Sequence, residues 1–360
     1  MQLVLKMKKT INIKLIVSFI LFTILALAAV GLILWQGLQP FFGSIDIFSQ
    51  DPQKIVKKIT EKARALDGVY INRLDEEKYP VAVMIDNKYE AMPWSGLSYA
   101  NFVFEAPVEG GLTRFLAIYS TDREIEKIGP VRSVRPYFID WAMEFGAILA
   151  HCGGSPKALA EIQNSEKIRS LNLDEFSENF YFWRAGDRFA PHNLYTSSDR
   201  LDRARDEKLD SQKLTFSSWQ FKDEAFESER GDTKQVRINF GIYKSQDAIW
   251  KYDKNKNFYV RYYGAKVSQD DSGSLILAKN IAVMETDIWV IDSLSRRKIT
   301  TIGSGDALVF QDGLKIEATW EKKSQDERLR FYDKSGSEIQ FNRGTTWVEV
   351  VSELGRVSSE

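Results

Sequence analysis

The chain has 360 residues, 44% of them hydrophobic and 28% charged, with a formal net charge of −1. So balanced a charge excludes a global field drawing it to nucleic acid or an acidic membrane, and any anion binding must come from a local cluster. Cys152 is the single cysteine, which excludes an intrachain disulfide, a cysteine-based zinc site and a lipid-bearing cysteine near the amino terminus.

The amino terminus reads as a membrane anchor. Leu15 to Trp35 carries no charged side chain, and as a helix it is long enough to cross roughly 30 Å of hydrocarbon. Lys6, Lys8, Lys9 and Lys14 precede it, while Gln36 to Gln50 has no Lys or Arg. The positive-inside bias then leaves 1–14 as a cytoplasmic tail, 15–35 as a single-pass transmembrane helix and the bulk extracytoplasmic. A cleaved signal peptide competes, but the apolar run is long and no small-x-small site precedes Gln36. Residues 36–70 are expected as a juxtamembrane linker and helix. Asp51-Pro52 opens that helix, Ile55, Ile59, Ala63 and Leu66 recur at its spacing, and Gly68 sits past its end.

The expected fold class is α+β: the transmembrane helix, a mixed α/β domain over 71–210, a linker over 211–235 and a β-rich domain over 236–355. In the first domain, Val81–Asp86, 101–105, 112–119 and 147–151 read as strands, with a helix starting at Pro136. In the second, Val236–Phe240, F-Y-V-R-Y-Y, I-A-V-M, A-L-V-F, I-E-A-T-W and W-V-E-V-V are rich in aromatic and β-branched residues. Asp312-Gly313 and Ser335-Gly336 mark hairpins.

Both histidines, the cysteine and the clearest arginine cluster fall within 105–195. Arg132 and Arg135 precede the Pro136 helix, Arg114 follows the Gly110-Gly111 turn, and Gly153-Gly154 leads to Ser155 as the cap of a second helix. Helix starts offer free N–H donors, and guanidinium groups offer paired ones, so phosphate or carboxylate is the ligand class expected here. The expected ligand-binding set is Arg114, Arg132, Arg135, His151, Gly153, Gly154, Ser155, His192 and Asn193. His151 and His192 are the candidates for catalytic proton transfer. Asp86, Glu105 and Glu109 are supporting or metal-ligating candidates, Mg²⁺ being the candidate cofactor. Salt bridges from these arginines to Glu105, Glu109, Asp86 or Asp140, and histidines bonded to turn backbone, are the purely structural alternative. The expected partners are the membrane, through Leu15–Trp35, and either an anionic envelope ligand or an envelope protein; nucleic acid is not expected. Neither a Walker loop nor a nucleophile elbow is present. Cys152 beside glycines reads as a small buried residue rather than a nucleophile.

V-A-V-M-I-D-N, E-A-P-V-E-G-G-L-T-R-F-L-A-I-Y, G-P-V-R-S-V-R-P, H-C-G-G-S-P and A-P-H-N-L-Y resemble the amino-terminal module of the YerB-like bacterial lipoprotein family. K-N-I-A-V-M, G-S-G-D-A-L-V-F-Q-D-G and G-T-T-W-V-E-V resemble its carboxy-terminal module. The resemblance implies a membrane-attached extracytoplasmic protein of two modules and unassigned activity, here with a transmembrane helix in place of the lipidated cysteine. Two functional expectations follow. One is an Arg/His anion site for a phosphorylated or carboxylated envelope ligand, with enzymatic activity left open. The other is a non-catalytic adaptor binding an envelope protein through the β-rich domain.

Overall fold

The computed structural model describes residues 60–75, 77–209, 216–241 and 246–360. The expected span Leu15–Trp35 and the start of the juxtamembrane helix lie outside the described residues. Among the described residues, no helix is long and apolar enough to cross a membrane. Glu61–Glu360 forms one compact unit.

Its centre is a ten-stranded sheet to which both sequence modules contribute five strands. The order is Arg330–Asp333, Leu314–Lys322, Gly303–Gln311, Asn280–Glu285, Thr346–Val351, Phe102–Pro107, Thr113–Tyr119, Val81–Asp86, Ile148–His151, Asn172–Asp174. The modules meet where Thr346–Val351 runs parallel to Phe102–Pro107, from Thr346 opposite Phe102 to Glu349 opposite Glu105. Every residue of these two strands is buried, which is why both read as near-continuous apolar runs. The sequence boundary between modules is therefore not a boundary of the core.

Strand periodicity sends alternate side chains to two different layers. Phe104 stacks on Trp141 of the helix Pro136–Met143, with ring centroids 4.9 Å apart. On the opposite face, Trp347 meets Phe115 and also Trp250, from the strand Ala248–Asp253 of a second, six-stranded sheet. The main sheet thus lies between helices and another sheet, and the fold is α+β. The hairpin expected at Asp312-Gly313 joins Gly303–Gln311 to Leu314–Lys322, with both turn residues at positive φ.

Two local expectations need correction. Glu61–Ala63 is not the end of a helix reaching Leu66. It is a strand paired antiparallel with Tyr70–Asn72. Arg64 is buried, and its Nε and Nη2 donate to Asp67 at 2.8 and 2.7 Å. Gly68 does end the segment as a turn at φ +71, where a Cβ would lie 2.3 Å from the Phe221 ring. Nor is the expected 211–235 linker a free tether from Trp219 onward. Trp219 is buried against Phe102 and Phe341, at 5.0 and 4.4 Å, and Phe221–Lys222 pairs with Phe341–Asn342.

Candidate functional site

The strands Val81–Asp86 and Thr113–Tyr119 end side by side, with Asp86 opposite Arg114. The segment after Pro130 crosses this end of the sheet. Arg132 N donates to Met84 O at 2.9 Å, and Val131 N donates to Leu194 O at 2.7 Å. This stitching brings the stretch containing His192 against the strand end.

Asp86 is buried. Its Oδ2 accepts from His192 Nδ1 at 2.8 Å and lies 3.0 Å from Arg132 Nε. One carboxylate thereby hydrogen-bonds His192 and ion-pairs with Arg132, whose Nε is not aligned for a hydrogen bond. His192 Nε2 and both Nη atoms of Arg132 make no hydrogen bond among the described residues. Arg114 is also buried, and its Nη1 donates to Ser133 O at 2.5 Å. Its Nε has no partner, and no carboxylate lies within ion-pair distance among the described residues. Burial, then repulsion from Arg135, bring the Arg114 guanidinium down to about 10; Asp86 opposes this and Arg132 adds to it. A buried cation with so little compensation is costly unless something else pairs with it.

The remaining expected residues divide. Arg135 is adjacent but committed, its Nε and Nη2 donating to Glu109 at 2.6 and 2.7 Å. Burial pushes the Glu109 carboxyl up, but the bonds and charge of Arg135 outweigh it and hold the group below the usual range. His151 is fully buried, its Nδ1 2.9 Å from Gly153 O and its Nε2 2.7 Å from Asn172 Oδ1. That is a structural histidine beneath a turn, and not a proton carrier facing a ligand. Gly153 sits at φ +58 with Phe176 where a Cβ would go, and its N–H donates to Asp174 Oδ1 at 2.8 Å. A Cβ on Gly154 would crowd Val134. Tight packing, rather than a ligand, accounts for these glycines. Ser155 Oγ accepts from Ala158 N at 3.4 Å as a helix cap, and the Ser155 N–H is taken by Val134 O. Asn193 bonds Arg184 and Ala185 O. Burial, then its bond to Glu175, push the Cys152 thiol up to about 11, which disfavours a thiolate nucleophile.

Glu105 points to the opposite layer. It is fully buried, accepts from Asn87 and Thr113, and lies 2.7 Å from Arg261 Nη2. Arg261 also lies 3.5 Å from Glu349, which accepts from Trp250 Nε1 at 2.9 Å. The Arg261 guanidinium stands over the rings of Phe115, Trp250 and Trp347. Burial, then the charge of Glu105, push Glu349 well above the carboxylate range. Sequence reasoning passed over Arg261 and Glu349. The signal was a lone charge inside F-Y-V-R-Y-Y and another inside W-V-E-V-V, since a charge in a buried strand requires a partner. Asp86, Glu105 and Glu109 are thus directed to different cations. Among the described residues, no group of three or more His, Cys, Asp and Glu is positioned to hold a metal.

These features define an α+β protein whose two sequence modules share one sheet, with a carboxylate at its end holding a histidine and an arginine. The chain belongs to the family described as protein of unknown function (DUF3048): its N-terminal domain matches residues 67–213 and its C-terminal domain residues 236–348. It is 33% identical over 300 residues to "Putative lipoprotein YerB" of Bacillus subtilis (strain 168), covering 81% of this chain and 87% of that protein. The crystal structure of YerB protein from Bacillus subtilis resembles it with a TM-score of 0.72 at 31% identity, over 82% of this chain and 98% of that one.

Proposed function

We propose that this is a membrane-associated extracytoplasmic protein whose Asp86, His192, Arg132 and Arg114 bind a phosphorylated or carboxylated envelope ligand. The lysine-flanked apolar segment Leu15–Trp35 and the lipoprotein name of the Bacillus relative support the location. One observation carries the site. Asp86 Oδ2 accepts from His192 Nδ1 and ion-pairs with Arg132 Nε, so that His192 Nε2 and the Arg132 Nη pair remain free beside under-compensated Arg114. Arg132 presents a fork matching an oxyanion, and Arg114 adds positive charge behind it. His192 Nε2 can accept a proton from, or share one with, a bound phosphate or carboxylate, because Asp86 holds the proton on Nδ1.

Thermal melts of the full chain with phosphate and pyrophosphate, with and without Mg²⁺, test this. Ligand is expected to raise the wild-type Tm. Arg132→Lys keeps the charge but loses the fork, and is expected to weaken binding roughly tenfold or more at little cost in stability. Absence of any ligand-dependent shift, with a loss of about 3–5 kcal/mol in Arg132→Ala, would sink the site and leave a structural ion network. The adaptor reading has its own support: Trp289, Val290, Ile291 and Leu294 form an exposed apolar strip in the carboxy-terminal module.

A further inference from the structure

Between the sheet strands Asn280–Glu285 and Gly303–Gln311 the chain leaves the sheet as a separate two-stranded ribbon. Ile288–Val290 pairs antiparallel with Arg297–Ile299, placing Trp289 opposite Lys298 and Val290 opposite Arg297. The turn is held in one shape. Asp292 Oδ1 accepts from Leu294 N and Arg296 N at 3.0 and 3.1 Å, and Asp292 Oδ2 lies 2.9 Å from Arg296 Nε. Yet this braced ribbon leaves its large apolar side chains in water: Trp289 is 44% exposed, Val290 56%, Ile291 51% and Leu294 64%. A scattered exposed leucine needs no explanation, but four such residues along one ribbon do.

The outgoing strand is apolar and the returning one basic. Arg297 and Lys298 have no carboxylate within ion-pair distance among the described residues, and Lys157, across an adjoining cleft of about 390 Å³, has none either. Arg297 Nε is taken by Val108 O at 3.0 Å, and Lys298 stands 5.3 Å from the Trp289 ring. The cleft also holds two acids, against the three cations without ion-pair partners. Asp140 is occupied by Thr301 Oγ1 and Gln325 Nε2, at 2.5 and 2.8 Å. Glu161 is pushed up, first by burial and then by Asp140.

We infer that this ribbon and cleft form a contact surface for an anionic lipid bilayer, with the apolar tip in the interface and the cleft cations over headgroup phosphates. Trp with aliphatic neighbours suits the interfacial zone, and flanking unpaired Lys and Arg suit an anionic leaflet. A protein groove could cover the apolar tip, but it would leave the cations of the ribbon and cleft without the anions they fit. The cleft borders the Asp86 site through Arg135, but Lys157 and Lys298 make no contact with Asp86, His192, Arg132 or Arg114, so phosphate binding there is measured independently.

The test uses the full chain carrying Cys152→Ser, with a bimane fluorophore on Val290→Cys or, as reference, on exposed Ser335→Cys. The protein is incorporated into vesicles of phosphatidylcholine alone or mixed with phosphatidylglycerol, each containing doxyl-lipid quencher. The Leu15–Trp35 segment is common to all arms, so differences report the ribbon. Loss of fluorescence is expected at 290 in the anionic vesicles and not at 335. Lys157→Glu with Lys298→Glu, both at exposed positions, is expected to remove the lipid dependence while leaving the melting curve unchanged. Equal quenching at 290 in both lipids, equal quenching at 290 and 335, or none at 290 would each overturn the inference. The last result would make the tip a protein-docking surface.

Discussion

Asp86 Oδ2 lies 2.8 Å from Nδ1 of His192, a residue 106 positions further along the chain, and the same oxygen lies 3.0 Å from Arg132 Nε. A carboxylate so used settles which ring nitrogen carries the hydrogen. The other histidine is fixed by Gly153 O and Asn172 instead. The chain's two histidines can therefore be told apart by what holds them.

Asp86→Ala is expected to release the His192 tautomer. In ¹⁵N spectra of the imidazole nitrogens, wild-type His192 should be protonated at Nδ1, and the variant should move toward the Nε2-protonated form. The His151 signals should stay in place. Stability should fall by about 1.5–3 kcal/mol, the range for a hydrogen bond to a charged group. An unchanged His192 spectrum would refute the orienting role of Asp86.

Arg261 and Glu349 should respond in opposite ways to substitution. Arg261→Ala leaves Glu105 and Glu349 buried without their cation, and should cost about 3–5 kcal/mol. Burial and the neighbouring charge of Glu105 push the Glu349 carboxyl up and so favour its neutral form. Glu349→Gln then replaces one neutral group by another and should stay within about 1 kcal/mol of wild type. Urea unfolding at neutral pH measures both. A large loss in Glu349→Gln would mean that Glu349 is ionised.

Asp270 supplies a pH dependence. It accepts from Leu97 N and Ser98 N at 3.2 and 2.8 Å, linking the two modules. Burial pushes its carboxyl up to about 6, against the bonds from Ser98. A folded-state value above the unfolded one stabilises fully below about pH 4, and that stabilisation is lost as pH rises through about 6. Relative to Asp270→Asn, the wild type should therefore lose about 2–3 kcal/mol of unfolding free energy between about pH 4 and pH 7. A difference that is flat, or that grows with pH, would show that Asp270 does not titrate in this window.

Local chemistry made much of the fold readable. F-Y-V-R-Y-Y is the strand Phe258–Tyr263, Asp312-Gly313 is a hairpin turn, and Ser155-Pro156 starts a helix. Each depends on residues that are neighbours in sequence. What stayed hidden depends on distant pairing. Nothing in Phe102–Pro107 announces Thr346–Val351 as its partner, and nothing near Glu105 announces Arg261. Glu61–Ala63 misled because Ala63 and Leu66 continue an apolar spacing of helical period, whereas pairing with Tyr70–Asn72 makes this segment a strand. For the site, residue types singled out Asp86, Arg114, Arg132 and His192 together with His151 and Glu105. Only the fold separates the two groups, because His151 and Glu105 spend their polar atoms on Gly153, Asn172 and Arg261.

The parallel pairing of Thr346–Val351 with Phe102–Pro107 also sets an order of events as the chain is made. Roughly 240 residues separate the two strands, and at about 5–20 residues per second the second emerges some 10–50 s after the first. Until then one edge of Phe102–Pro107 has no native neighbour, and unpaired strand edges invite association with other chains. The nascent amino-terminal module is thus a partly finished sheet awaiting the last strand that the chain adds to it, and a ribosome stalled late in the message would release a product with a sticky apolar edge.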